Sequence, residues 1–183
     1  MNLKVAGASA LATVVAFVAL LVPVSTQACG CGSWDGPTIA SGTSPGEVDW
    51  RIYVVRHSSR SFSLMFDAKW TTNRKASSTG VGLTVAPGSR IPPIRAVAGG
   101  DLGPKRENDV SGLANWRAKK IVVTMRSGKT VSFKPVAAPA KLREKWPWLN
   151  GYRFFDQYFP RKQKPIRIAA FSESGKRLAR HEL

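Results

Sequence analysis

An all-β chain built as an antiparallel sandwich is what the sequence predicts, on three observations. Apolar and polar residues alternate with period two over several runs, including Phe62 to Trp70, the pattern of a half-buried strand. Turn signals rich in Gly, Pro and Ser separate these runs at short intervals. Beyond the first residues no amphipathic period of 3.6 persists long enough for a globular helix. About seven to nine short strands follow, which suits a two-layer sandwich.

The clearest element is Ile121 to Val136. Two β-rich runs flank Arg126-Ser127-Gly128. A type I turn followed by a left-handed residue needs glycine in its last place, because glycine alone takes positive φ at no steric cost. That loop sets Met125 opposite Lys129, Val123 opposite Val131 and Ile121 opposite Phe133. Thr124 then meets Thr130 and Val122 meets Ser132 on the other face. A one-residue slip would invert both faces, so turn and alternation specify one register.

The remaining elements are taken in chain order. Met1 to Ala28 carries Lys4, an apolar run from Val5 to Val22, Pro23 and a small residue at Ala28. This is the plan of a secretory signal, and the length of the run also allows an uncleaved helical anchor. Cys29 after Ala28 partly fits a lipoprotein site, with Thr26 and Gln27 departing from the usual pattern. All three alternatives place residues after 28 outside the cytoplasm. Cys29 and Cys31 are the two cysteines. They build no disulfide framework, and with His57 and His181 as the available histidines they make no metal site. Residues 29–46, rich in Gly, Ser, Thr and Pro, read as a linker, and 47–183 as the β domain.

Within that linker, Gly42-Thr43-Ser44-Pro45-Gly46 matches the pattern of a nucleophile elbow. The residue after Ser44 is Pro45, which has no N–H to give an oxyanion hole, and no strand or helix pattern flanks the motif. Val48 to Val55 and Phe62 to Trp70 form a second hairpin with His57 in its polar turn. Thr71 to Gly80 reads as a polar loop, Val81 to Val85 as a third strand, Ile94 to Val97 as a brief one, and Gly99 to Asp109 as loop. Gly103-Pro104-Lys105 lacks the spacing of a phosphate-binding loop. Trp116 is expected beneath the main hairpin. Ala140 to Trp146 has room for one or two helical turns ended by Pro147, with Trp146 and Trp148 plugging one end of the core. Tyr152 to Phe159 is an aromatic strand. Ile166 to Phe171 and Lys176 to Arg180 make a last hairpin around Glu173-Ser174-Gly175, with Arg180 opposite Ile168.

Ile121 to Val131, Gly151 to Phe155, Pro165 to Phe171 and Ser174 to Leu178 together are similar, in strand spacing, to a module of exported bacterial proteins. There a Gly-turn hairpin precedes an aromatic strand and a closing hairpin in an immunoglobulin-like sandwich. The resemblance covers about 60 residues of such a domain of roughly 100. It implies export and an immunoglobulin-like sandwich, and brings no activity, cofactor or catalytic residue.

The net charge is +17. Residues 101–183 hold 19 Lys and Arg against 7 Asp and Glu, a balance of +12. Such a field favours anionic partners: surface polymers, membrane headgroups or a protein partner of matching charge. Arg161, Lys162, Lys164, Arg167, Lys176 and Arg177 are the candidate anion-binding residues. A hydrolase is the alternative, but the 11 acids look scattered over the surface and no nucleophile is convincing. Nucleic acid is a further alternative, since Tyr152-Arg153-Phe154 and Tyr158 to Lys162 set aromatics beside cations. The alternation turns several of those rings inward, and export removes the chain from most nucleic acid. The sequence therefore reads as an exported, non-catalytic β module with no cofactor.

Overall fold

The computed structural model describes residues 36–58, 61–72, 75–88 and 92–183. The expected apolar helix at 5–22, and Cys29 with its proposed lipidation, lie outside them. Among the described residues no helix is long and apolar enough to cross a membrane.

The described residues are all-β, with eleven antiparallel strands in three sheets: β1 (Thr38–Thr43), β2 (Asp49–Arg56), β3 (Phe62–Thr72), β4 (Lys75–Val85), β5 (Ile94–Leu102), β6 (Glu107–Asn115), β7 (Lys120–Met125), β8 (Thr130–Phe133), β9 (Tyr152–Phe159), β10 (Pro165–Phe171) and β11 (Arg177–Glu182). The first sheet runs β1-β2-β3-β4, the second β5-β6-β9, and the third β11-β10-β7-β8. The second sheet lies between the other two. One of its faces gives Leu113, Tyr152 and Phe154 to a core shared with Ile52, Val54, Leu64 and Phe66 of the first sheet. The opposite face gives Val110, Ala114, Phe155 and Phe159 to a core shared with Ile121, Val123, Met125 and Ile168 of the third. The arrangement is thus three-layered, with β6 and β9 of the middle sheet contributing to a core on each face.

The main hairpin has the expected register, Ile121↔Phe133, Val122↔Ser132, Val123↔Val131 and Thr124↔Thr130. Gly128 has φ +83°, and the Gly128 amide donates to the Met125 carbonyl at 2.9 Å. Ile121 and Val123 are fully buried, while Val131 and Phe133 are half-buried on the same core. A Cβ at Gly128 would meet no atom within 4 Å, so only backbone strain opposes substitution. Gly128→Val should cost about 1–3 kcal/mol, because a β-branched residue at positive φ is strained. Chemical denaturation checks this, and an unchanged midpoint would count against the turn geometry.

The second hairpin pairs as Ile52↔Phe66 and Val54↔Leu64, and its apolar side faces the core as the alternation requires. The six-residue helix α1 (Ala140–Lys145) and a 3-10 turn at Pro147–Gly151 follow. Trp146 and Trp148 pack against the first core, with ring centroids 5.8 and 5.0 Å from that of Phe62. They plug the core as expected.

Five expectations about individual elements and packing fail in this part of the fold. The described part of the 29–46 segment is no linker: β1 pairs with β2 and buries Ile39. Thr71 to Gly80 is strand, since β3 and β4 pair from Phe62↔Val85 to Thr72↔Lys75. Gly99 to Asp109 carries the end of β5 and the start of β6. Trp116 is 46% exposed, and the Arg117 guanidinium covers its ring at 5.4 Å. In the last hairpin a bulge between Ala170 and Phe171 shifts the register, so Ile168 faces His181 and Arg180 faces Ala169. The first three of these segments share small and polar residues whose pattern imitates loop. Backbone pairing, not side-chain hydrophobicity, makes them strands.

Candidate functional site: a basic cleft at the β9–β10 loop

β6 is buried on both faces, and its first residues shape the surface beside it. Asn108 is 8% exposed. Its Nδ2 donates to the Arg161 carbonyl at 2.9 Å and the Gln163 carbonyl at 3.1 Å, with the Pro160 carbonyl at 3.4 Å. One buried amide thereby gathers the carbonyls of the β9–β10 loop and turns its side chains outward. The Arg126 amide of the β7–β8 turn donates to the Lys164 carbonyl at 2.8 Å. This joins the main hairpin to the same loop.

Between this loop and Gly99-Gly100 of β5 lies a cleft of about 340 Å³, lined by Asp101, Asn108, Arg126, Arg161 and Lys164. Asp101 is its acid. It bonds Arg106 at 2.9 Å and approaches Arg161 at 3.5 Å. Arg126 and Lys164 form no ion pair among the described residues, so cations outnumber acids in the cleft. The Arg161 side chain is 58% exposed, and Lys162 and Lys164 are exposed beside it.

The structure divides the six candidate residues. Arg161, Lys162 and Lys164 share the loop, and Arg126, which the sequence did not single out, joins them. Arg167 lies along β10, where its Nε donates to Glu182 at 2.9 Å. Hydrogen bonds from Arg180 and Arg167 hold the Glu182 carboxyl below its usual range. Lys176 and Arg177 lie at the far end of β10, about 20 Å away at the rise of a strand. There the chain also places Lys120, whose Nζ lies 5.3 Å from the Phe171 ring centre.

Behind β5 the chemistry reverses. The 11 acids do not all lie on the surface. Asp109 and Ser111 of β6, Asp156 and Tyr158 of β9, and Asp67 of β3 line a cavity of about 280 Å³ between the first and second sheets. Ser111 Oγ lies 2.9 Å from Asp109 Oδ2 and 2.9 Å from Asp156 Oδ1. A hydroxyl has one proton to donate, so one of these contacts needs a proton on the carboxyl. Burial, and then the Asp109 charge, push Asp156 up to about 8, which makes it the protonated partner at neutral pH. Burial also raises Asp109 and Asp67. Burial and the neighbouring carboxyls raise the Tyr158 hydroxyl. Ser111 and Asp156, 45 residues apart in sequence, meet here only because β6 and β9 pair and set them directly opposite each other.

A pH dependence follows. An acid whose folded pKa is raised gives stability that is complete below the ordinary carboxylate range and lost as pH rises through its folded value. The melting temperature should therefore fall between about pH 4 and pH 8, the window set by Asp156. Asp156→Asn should flatten that fall. Thermal melts at pH 5, 7 and 9 test it, and an equally steep fall in the variant would reject the assignment.

The Gly42–Gly46 motif is structural. A strand does precede it, contrary to expectation, but β2 follows it where an elbow requires a helix. Ser44 is buried. Its hydroxyl bonds the buried Glu107 carboxylate and accepts the Gly46 and Val48 amides at 3.1 and 3.2 Å. His57 is exposed, with its Nε2 2.8 Å from Ser63 Oγ. Among the described residues no three His, Cys, Asp or Glu side chains group to hold a metal ion. Comparison with family models, with curated proteins and with solved structures finds no match for this chain.

Proposed function

We propose that this chain is an exported, non-catalytic β module that binds an anionic polymer of the cell surface through the cleft at the β9–β10 loop. One observation carries the reading: buried Asn108 anchors a loop that presents Arg161, Lys162 and Lys164 beside Arg126, with Asp101 as the cleft's acid. Loop cations held this way lose little freedom on binding, so each phosphate or carboxylate contact is not offset by ordering the loop. Export rests on the N-terminal segment, read from sequence. Stacking on nucleic-acid bases has no support here, because Tyr152, Phe154, Phe155, Tyr158 and Phe159 are buried.

The test is retention on polyphosphate and acidic-glycan resins and on anionic vesicles, at rising salt. Wild type should be retained at low salt and released steeply as salt rises. Changing Arg126, Arg161, Lys162 and Lys164 together to Gln should weaken retention at least tenfold. Changing Lys176 and Arg177 should matter far less. Equal retention of the fourfold variant would overturn the assignment to the cleft. Preference for vesicles over polymers would identify headgroups as the partner.

A further inference from the structure

The acid-lined cavity behind β5 and the basic cleft before it are neighbours. The cavity is half open, and Ala98, Gly99 and Gly100 belong to the walls of both spaces. All three residues are exposed, as is Thr79 of β4 at the cavity's rim. The two glycines keep both spaces clear. A Cβ on Gly99 would lie 2.3 Å from Asp109 Oδ1 in the cavity, and one on Gly100 would lie 2.9 Å from Asn108 Oδ1 at the cleft. The pairing of β5 with β6 is interrupted between Gly99 and Leu102, and Asp101 in that bulge has φ +60°. A bulge at a sheet edge re-aims a side chain, and a non-glycine residue at positive φ is strained. Here the bulge gives Asp101 to Arg106 and Arg161. It leaves a low saddle of glycine backbone between cavity and cleft.

The carboxyls that serve the cavity are Asp109 and Asp156, which meet at Ser111. The Asp67 carboxyl turns to the other face of β3, where its Oδ2 accepts the Tyr53 hydroxyl at 2.7 Å. Asp109 Oδ1 accepts no hydrogen bond of normal geometry from the described residues, although the Gly99 amide lies near and favours its charge. The Asp109 carboxylate therefore has acceptor capacity to spare. A ligand lying across the saddle meets cations on one side and this acceptor on the other. A polyphosphate, charged at every unit, would set phosphate against carboxylate there. A sugar acid offers a carboxylate to Arg126, Arg161 and Lys164, and neighbouring hydroxyls that donate to Asp109. We infer that the anionic polymer is an acidic glycan, held across Gly99-Gly100 with a carboxylate in the cleft and the hydroxyls of an adjoining sugar at Asp109. This ligand class presupposes the anion-binding role proposed for the cleft.

The probes are an oligogalacturonate and a linear polyphosphate of equal charge, titrated calorimetrically into the purified full-length protein at neutral pH and fixed salt. The oligogalacturonate should bind at least tenfold more tightly. Asp109→Asn should erase most of that preference by weakening the glycan and not the polyphosphate. Thr79→Trp, at the exposed rim, should do the same by closing the mouth of the cavity, and it decides the matter should Asp109→Asn fail to fold. Changing Arg126, Arg161, Lys162 and Lys164 together to Gln should weaken both ligands alike. The acidic-glycan assignment is overturned if polyphosphate binds as tightly as the glycan, or if a folded Asp109→Asn or Thr79→Trp protein keeps the wild-type preference. In either case the cleft assignment stands, provided that the fourfold variant still loses its anion. If neither anion binds the wild type, the cleft assignment falls and the glycan with it.

Discussion

Gly112→Ala should abolish the native fold or cost at least about 3 kcal/mol, the upper end for adding a methyl to a packed core. Gly112 sits mid-strand in β6, the central strand of the middle sheet. A Cβ there would lie 2.2 Å from the Arg95 carbonyl oxygen, 2.8 Å from Phe155 Cζ and 2.9 Å from Ala96 Cα. Two of these atoms are backbone of the adjacent strand β5, so no rotamer change relieves the clash. Relief requires β5 to move from β6 or the Phe155 ring to leave the second core. The main-hairpin glycine gives a contrast, since Gly128→Ala meets open space and only conformational strain. Urea denaturation of both variants measures the difference. A Gly112→Ala protein as stable as wild type would show that β5 and β6 are not packed this closely.

Phe154→Ala should destabilise by about 3–5 kcal/mol, as for a fully buried aromatic whose site cannot collapse. Phe154 is fully buried on β9. It packs in the first core, with its ring 6.4 Å from that of Tyr152. Its amide and carbonyl also pair with Val136 at 2.8 Å, tying the segment after β8 to the middle sheet. The backbone bridge survives the substitution, so the loss measures ring burial alone. Most of the cost should appear as faster unfolding if the first and second sheets dock late. A loss under about 1 kcal/mol would mean the core relaxes into the space, against the packing described here.

Sequence alone was enough for the all-β class, the main hairpin with its register, the second hairpin, the aromatic strand and the tryptophan plug. Each rests on local information: a period of two over consecutive residues, or one glycine where a turn needs positive φ. The three layers were not legible. β6 reads Glu-Asn-Asp-Val-Ser-Gly-Leu-Ala-Asn, with little alternation, because a strand buried on both faces has no solvent side to mark with polar residues. Its polar residues instead meet partners from distant segments: Glu107 finds Ser44, Asn108 the β9–β10 loop, and Ser111 finds Asp156. The chain's own residue order determined the charge and the cations of the β9–β10 loop. Tertiary structure alone decided that Arg126 joins them, that Lys176 and Arg177 lie at the far end of β10, and that the buried Asp109 and Asp156 meet at Ser111. Strand pairing brings together residues far apart along the chain, and burial then changes what their charges cost. Neither effect is written in any local stretch of sequence.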